Sequence, residues 1–188
     1  APRRHGLLPR PAARALRPDW RGHLSSRYLL ALGSNQRHHR HGSPPQVLRA
    51  AIAALGGKVE AVSPIIASAP LGPSRRRYAN AAVILRSKRD PAVLLARLKG
   101  IEASFGRRRG GQRWGARVLD LDIILWQGGA WSSPGLTVPH TAFRRRAFVL
   151  TPAAAIAPRW RDPLTGLSLR QLRARLTRPR PLPKRGAW

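Results

Sequence analysis

Short apolar runs and segments of helical spacing alternate along the middle of the chain. The first run, residues 28–32, ends in Gly33-Ser34-Asn35, which predicts a buried strand followed by a turn. The next segment has apolar residues at helical spacing and stops at Gly56-Gly57, where glycine can end a helix. These apolar residues are Val47, Leu48, Ala51, Ile52 and Leu55. The pattern therefore predicts one strand and one helix.

Three more strands follow from the same pattern. Residues 59–68 and 79–85 are strand-like, and the turn-rich residues 69–77 separate them. Residues 118–126 form the last predicted strand.

The second predicted helix has clear start and stop signals. Asp90 can cap it, Pro91 suits its first turn, and Gly106 ends it. Its buried face is predicted to consist of Leu94, Leu98, Ile101 and Phe105. A final helix is predicted from Ser168, with Leu169, Leu172 and Leu176 on one side.

The predicted order of the central elements is strand, helix, strand, strand, helix, strand. This split βαβ pattern is typical of ferredoxin-like sandwiches, so we predict an α/β (α+β) fold with helices packed on one face of an antiparallel sheet. Residues 28–176 form the predicted domain. Residues 1–27 are expected to be a flexible basic extension, and residues 177–188 a Pro- and Arg-rich tail.

Composition excludes some classes of protein and leaves others open. With no cysteine, the chain has no disulfide framework, thiolate metal site or Cys nucleophile. No apolar stretch is as long as a membrane-spanning helix, and we expect a cytoplasmic protein. The formal charge of +29 favours anionic partners: nucleic acid, a membrane surface or a phosphorylated small molecule. A solvated surface explains much of this charge equally well.

Two acidic residues stand two apart inside the last predicted strand. Residues i and i+2 of a strand point the same way, so Asp120 and Asp122 should project from one face. The other face is predicted to carry Leu119, Leu121, Ile123 and Leu125. Pairing with arginine is one explanation for the two charges. We favour a divalent cation such as Mg²⁺, which binds carboxylate oxygens together with substrate phosphates.

The segment just before this strand is rich in glycine and arginine. Residues 106–117 contain four glycines and five arginines around Trp114. Glycines allow a loop to move, and guanidinium groups bind phosphate oxygens in a bidentate manner. We predict a mobile lid that closes over a polyphosphate. A solvated basic loop is the alternative.

A set of motifs occurs in order over residues 28–158. The most specific is Arg113-Trp114-Gly115-x-Arg117-x-Leu119-Asp120-Leu121-Asp122-Ile123. The others are Gly33-Ser34-Asn35, Pro70-Leu71-Gly72-Pro73, Tyr78-Ala79-Asn80-Ala81-Ala82, Ile101-Glu102, Phe105-Gly106-Arg107, Leu136-Thr137-Val138-Pro139-His140 and Arg146-x-Phe148-Val149-Leu150. Together they resemble the 6-hydroxymethyl-7,8-dihydropterin pyrophosphokinases of folate biosynthesis.

This resemblance implies a ferredoxin-like fold and an ATP-dependent pyrophosphokinase (diphosphotransferase). Such an enzyme transfers the terminal pyrophosphate of ATP to the pterin hydroxymethyl group and releases AMP. Two Mg²⁺ ions would bridge Asp120, Asp122 and the phosphates, and Arg107 and Arg117 would be catalytic residues on the mobile loop. The partners would be ATP and 6-hydroxymethyl-7,8-dihydropterin, with no specific nucleic acid and no membrane, and we expect a monomer.

The resemblance also assigns residues to two binding sites. Nucleotide contacts are implied for Lys99, Glu102, Ile123, Thr137, His140 and Arg146. Pterin contacts are implied for Ser68, Leu71, Tyr78, Asn80, Trp114 and Phe148. The two aromatic rings of Tyr78 and Phe148 would stack on the bicyclic pterin, and the Asn80 amide would meet its polar edge.

Some features depart from the family pattern or favour another class. The departures, which leave nucleotide affinity open, are Lys99, Gly100, Gly135 and Ala155. A basic nucleic-acid-binding module is the main alternative, favoured by the arginine runs 75–77, 107–109 and 144–146. No recognisable nucleic-acid-binding motif supports it. The histidines of residues 38–41 suggest no fixed metal geometry.

Overall fold

The computed structural model describes residues 25–69, 76–106 and 118–179. The first half of the domain contains β1 (Ser26–Ser34), α1 (Pro44–Ala54), β2 (Lys58–Val62), β3 (Ile66–Ser68), β4 (Tyr78–Ser87) and α2 (Pro91–Ser104). The second half contains β5 (Asp120–Trp126), β6 (Trp131–Ser133), β7 (Leu136–Val138), a 3-10 helix (Phe143–Arg145), α3 (Ala147–Ile156) and α4 (Leu169–Thr177).

The main sheet is antiparallel throughout. Its strands lie in the order β2–β4–β1–β5, and β3 pairs with β4 beyond the end of β2. β1 and β2 therefore run in the same direction on either side of β4, as the split βαβ pattern requires. β6 and β7 form a separate hairpin. The predicted ferredoxin-like fold is confirmed.

The predicted strand over residues 59–68 is two strands, β2 and β3. The break comes at Ser63 and Pro64, where proline has no N–H to donate. Ser63 compensates with its own groups: its backbone N–H donates to the Ala82 carbonyl, and its Oγ accepts from the Ala82 N–H, both at 2.9 Å. The edge of the sheet thus stays bonded to β4 across the break.

Helices cover both faces of the sheet, whereas the sequence predicted one covered face. α1 and α2 pack on the face that carries Tyr28, Leu30 and Leu32. α3 and α4 pack on the opposite face, against a cluster that includes Leu29, Ala82, Ile84 and Leu125. The predicted final helix is α4, but α3 was missed. Its sequence is apolar on all sides and contains Pro152, so no amphipathic pattern marks it.

Leu125 lies on the other face from its predicted position. β1 pairs Leu29 with Leu125 and Leu30 with Ile123, so Ile124 is an extra residue in β5. This bulge reverses the alternation of side chains along the rest of the strand. Leu119, Leu121 and Ile123 lie in the core under α1 and α2, as predicted. Asp120 and Asp122 precede the bulge and keep their predicted alternation.

The predicted caps are present in both helices that the sequence delimited. Asp90 accepts a hydrogen bond from the Val93 N–H at 2.8 Å, and Pro91 occupies the first turn of α2. Gly56, Gly57 and Gly106 have positive φ, the conformation in which glycine ends a helix.

Three predicted features concern residues outside the described part of the chain. They are the basic extension over most of residues 1–27, the lid beyond Gly106, and most of the tail over residues 177–188. Among the residues that are described, no helix is both long enough and apolar enough to cross a bilayer.

Candidate active site

Asp120 and Asp122 lie at the start of β5, on the α3–α4 face of the sheet. Asp120 is opposite Gly33 of β1, and Gly33 is in turn opposite Asn80 of β4. Residues directly opposite each other share a face, so the carboxylate and the amide flank a position without a side chain. A Cβ on Gly33 would come within 3.6 Å of Asn80 Oδ1. Glycine therefore leaves a shallow depression between Asp120 and Asn80.

The two carboxylates form an electrostatically unfavourable pair. Burial raises the pKa of Asp122 above its ordinary value, and the charge of Asp120 raises it further. His140 and Lys99 act in the opposite direction without cancelling the effect. The ionised form of Asp122 is thus disfavoured by its surroundings, and a bound cation would stabilise both carboxylates.

His140 is held beside β5 through the bulge. The bulge residue Ile124 has no partner in β1, and its carbonyl accepts the His140 N–H at 3.0 Å. The Ala142 N–H donates to His140 Nδ1 at 3.2 Å, which places the proton of the neutral ring on Nε2. Burial lowers the pKa of His140 despite the opposing effect of Asp122. At neutral pH the ring is therefore an uncharged donor beside the carboxylates.

Arg146 and Phe148 lie at the beginning of α3. Arg146 is the N-cap residue, and its carbonyl accepts the N–H groups of Val149 and Leu150, each at 3.0 Å. Its guanidinium Cζ lies 5.8 Å from the centroid of the Phe148 ring. Arg146 also contributes to the lowered pKa of His140, so these two side chains belong to one electrostatic environment.

Glu102 connects α2 to the strand that carries the carboxylates. Its side chain is fully buried, and Oε1 accepts the Leu121 N–H at 2.7 Å. The same oxygen lies 2.9 Å from Lys99 Nζ. Since the Leu121 amide lies between Asp120 and Asp122, Glu102 fixes the backbone from which both carboxylates project. The sequence suggested a nucleotide contact for Glu102 but gave no signal for this role.

Two of the elements that carry implied nucleotide contacts lie beside the edge strand β5. β5 is an edge strand, and α2 and β7 both contact it. α2 carries Lys99 and Glu102, and β7 carries Thr137, which is exposed. The Ile123 side chain is only 2% exposed and lies in the core under α1 and α2. A nucleotide could therefore reach Ile123 mainly through backbone groups.

The described residues with implied pterin contacts come from β3, β4 and α3. Ser68 of β3 is opposite Tyr78 of β4, two residues before Asn80. The Asn80 Nδ2 group donates to Ser68 Oγ at 2.9 Å, which fixes the orientation of the amide. α3, which carries Phe148, packs against β3 and β4. The rings of Tyr78 and Phe148 and the oriented amide of Asn80 are thus carried by elements that pack against each other.

Four of the predicted site residues lie outside the described part of the chain. They are Leu71, Arg107, Trp114 and Arg117. Among the described residues, the structure links the two carboxylates electrostatically with Lys99, Glu102, His140 and Arg146. The positions of those four stay predictions.

The donor set at the carboxylates fits Mg²⁺ bound partly by substrate. In the described ranges there is no group of three or more His, Asp or Glu side chains that could hold a metal ion by themselves. Mg²⁺ commonly takes one or two protein carboxylates and completes its coordination with water and substrate phosphates. Two carboxylates aligned on one strand match this pattern.

Fold and site together define a class of protein: a ferredoxin-like enzyme suited to metal-assisted transfer of phosphate groups. The chain matches the sequence model of 7,8-dihydro-6-hydroxymethylpterin-pyrophosphokinase (HPPK) over residues 29–158. The 2-amino-4-hydroxy-6-hydroxymethyldihydropteridine pyrophosphokinase of Synechocystis sp. is 42% identical over 129 residues, 66% of this chain and 66% of that protein. The Pseudomonas aeruginosa enzyme of the same name is 41% identical over 145 residues, 74% of this chain and 86% of that protein.

Similarity to solved structures supports the fold. HPPK-DHPS of Plasmodium falciparum superposes with a TM-score of 0.62 at 12% identity, over 80% of this chain and 44% of that chain. The chain thus spans less than half of that protein, and about two thirds of the Synechocystis relative. The chain belongs to the HPPK family. The predicted enzyme class, a pyrophosphokinase, is confirmed.

Proposed function

We propose that this chain transfers the terminal pyrophosphate of Mg-ATP to 6-hydroxymethyl-7,8-dihydropterin, giving AMP and the pterin diphosphate in folate biosynthesis. The observation that carries this proposal is the position of Asp120 and Asp122. They project from β5, which pairs with β1; β1 in turn pairs with β4, the strand of Tyr78 and Asn80. α2 and β7, which carry Lys99 and Thr137, contact β5 itself. Two substrates bound in these places would meet at the carboxylates.

The proposed reaction displaces AMP from ATP. The pterin hydroxyl oxygen forms a bond to the β-phosphorus and loses its proton, while the bond from the β-phosphorus to the bridging α–β oxygen breaks and AMP leaves. Asp120 and Asp122 would hold two Mg²⁺ ions, which neutralise phosphate charge and align the groups when bound. The protein's own contribution is alignment and electrostatic stabilisation rather than covalent chemistry.

His140 and Arg146 are assigned to the triphosphate. A neutral His140 with its proton on Nε2 can donate to a phosphate oxygen without adding charge to the site. Arg146 supplies the positive charge that pairs with phosphate oxygens. Lys99 and Thr137 are assigned to the nucleotide at the edge of β5, together with Glu102 and the Ile123 backbone.

Tyr78 and Phe148 are assigned to the two faces of the pterin, and Asn80 to its edge. Because Ser68 accepts one N–H of the Asn80 amide, the amide presents its other N–H and its oxygen in a fixed direction. Leu71 and Trp114 are proposed to complete this pocket. Arg107 and Arg117 are proposed to close over the polyphosphate, so replacing either by Ala should lower kcat much more than ATP binding.

Other expectations stay predictions. They are the count of two Mg²⁺ ions, the monomeric state, the cytoplasmic location and the absence of specific nucleic-acid binding. The boundaries of the basic extension (1–27), the domain (28–176) and the tail (177–188) belong with them.

One experiment separates the proposed function from the basic-module alternative. The purified protein is tested for magnesium-dependent AMP formation from ATP plus the pterin, and for retention of labelled DNA and RNA on filters at physiological salt. We expect AMP formation, and only weak nucleic-acid binding that falls steeply as salt rises. Tight nucleic-acid binding without AMP formation would contradict the proposal.

A further inference from the structure

Arg144, two residues before Arg146, forms a bidentate ion pair with the buried Asp162. Arg144 Nε donates to Asp162 Oδ2 and its Nη2 donates to Oδ1, both at 2.7 Å. The Asp162 side chain is completely buried, while a quarter of the Arg144 side chain remains exposed. Paired guanidinium–carboxylate bonds of this kind restrict both distance and orientation.

Asp162 is the centre of a tightly bonded turn between α3 and α4. Its Oδ2 also accepts from Thr165 Oγ1 at 2.6 Å, and its Oδ1 accepts the Leu164 N–H at 3.1 Å. Its backbone bonds to Gly166 and Leu167. Burial by itself would raise the pKa of Asp162, but Arg144 and Thr165 outweigh it and hold the pKa below its ordinary value. The carboxylate is therefore charged at neutral pH, and both of its oxygens accept hydrogen bonds.

Arg144 belongs to the segment that carries His140 and Arg146. This segment is internally bonded: the Phe143 N–H donates to the His140 carbonyl at 3.2 Å, and the Arg146 N–H donates to the Phe143 carbonyl at 3.1 Å. Phe143 is fully buried in the core under α3 and α4. Residues 140–146 therefore form one short rigid unit, and Arg144 is its polar attachment to the α3–α4 connection.

The two arginines on either side of Arg145 are directed to different groups. Arg144 bonds to Asp162, whereas Arg146 lies over Phe148 and affects the pKa of His140. Arg145 is exposed. The direct side-chain link from Asp162 toward the active site therefore runs through Arg144 and the segment 140–146.

We propose that Asp162 is a positioning residue for the nucleotide: through Arg144 it sets the position of residues 140–146 and hence of the Arg146 guanidinium. This inference rests on the proposed function, because it takes Arg146 as a triphosphate contact. Displacement of a binding group by about 1 Å can reduce rates by roughly 10²-fold. Loss of the Arg144–Asp162 ion pair should therefore displace Arg146 and weaken nucleotide binding. Pterin binding should be unchanged, because none of the implied pterin contacts lies in residues 140–146.

The test measures binding of Mg-α,β-methylene-ATP, whose α–β linkage cannot be cleaved, by calorimetry. Asp162→Asn should raise the dissociation constant of this analogue about tenfold or more, with the pterin dissociation constant unchanged. Arg144→Lys keeps the charge and loses the bidentate geometry, so it should change nucleotide affinity in the same direction and serves if Asp162→Asn does not fold. In an Arg146→Ala background, Asp162→Asn should have a smaller effect on nucleotide affinity than in the wild type, because only the His140 contact is left to displace.

Two control variants separate positioning from lost stability. Arg145→Lys changes the exposed neighbour and should bind the analogue like the wild type. Glu60→Gln removes the ion pairs with Arg27 and Arg86 on the β2 side of the sheet, so it should lower the Tm without changing nucleotide affinity. If folded Asp162→Asn binds the analogue normally, or if Glu60→Gln weakens binding as much, the positioning role is wrong. Additive effects of Asp162→Asn and Arg146→Ala would also overturn it. Failure of the wild type to form AMP would instead contradict the proposed function.

Discussion

Replacement of Glu102 tests whether the carboxylate strand depends on α2 for its position. In Glu102→Leu, the Leu121 N–H loses its 2.7 Å acceptor in a place where Leu121 is completely buried. An unpaired buried donor costs about 1–3 kcal/mol of the free energy of unfolding. Glu102→Gln keeps an acceptor and mainly loses the ion pair with Lys99. Because the Lys99 side chain is 44% exposed, that pair contributes at most about 1 kcal/mol.

The two variants should therefore differ clearly in stability and in magnesium dependence. We expect Glu102→Leu to be less stable than Glu102→Gln by about 1–3 kcal/mol in urea unfolding, because both variants lose the ion pair and only the Leu variant leaves the Leu121 N–H without an acceptor. The magnesium concentration for half-maximal AMP formation should rise about tenfold in the Leu variant, the scale on which supporting groups affect metal sites. Lys99→Gln is the control and should resemble Glu102→Gln. Equal stability and equal magnesium dependence of the Leu and Gln variants would refute this reasoning.

Three further predictions follow from the site. Asp120→Asn or Asp122→Asn should reduce turnover at least 10²-fold with the fold intact, whereas the control Asp90→Asn keeps a good N-cap and normal turnover; AMP formation and circular dichroism check this. Tyr78→Ala and Phe148→Ala together should weaken pterin binding by about 1–3 kcal/mol through lost stacking and burial, with ATP binding unchanged in calorimetry; the reverse pattern would mean the two pockets are exchanged. Asp162 has a lowered pKa, so its contribution to stability is present above its ordinary value of 3.8 and is lost as pH falls through the lower, folded value. Urea unfolding should show the wild type converging with the Asp162→Asn variant below about pH 4, and a constant difference from pH 7 to 3 would contradict this.

Local signals in the sequence were sufficient for much of the fold. α2 begins at Pro91 after its Asp90 cap and ends just before Gly106, as those residue types predict. Alternation was enough to place Asp120 and Asp122 on one face of β5. These features depend on neighbours within a few residues, which is the range over which periodicity and capping act.

Features set by distant parts of the chain were not predictable in this way. The bulge at Ile124 depends on how β5 pairs with β1, so alternation alone put Leu125 on the wrong face. α3 packs between the sheet and α4, and its sequence is apolar on all sides. Such a segment lacks the alternation of apolar and polar faces by which a helix is recognised in a sequence. Likewise, the pairing of Arg144 with Asp162 joins side chains 18 residues apart and leaves no local signal.

The central claim is most directly tested by identifying the nucleotide product. The purified protein is incubated with Mg-ATP and 6-hydroxymethyl-7,8-dihydropterin, and the phosphorus-containing products are followed by ³¹P NMR. The account predicts equimolar AMP and a pterin product that carries two linked phosphates, with no product when either magnesium or the pterin is omitted. Accumulation of ADP, or release of AMP with free pyrophosphate whether or not the pterin is present, would contradict it.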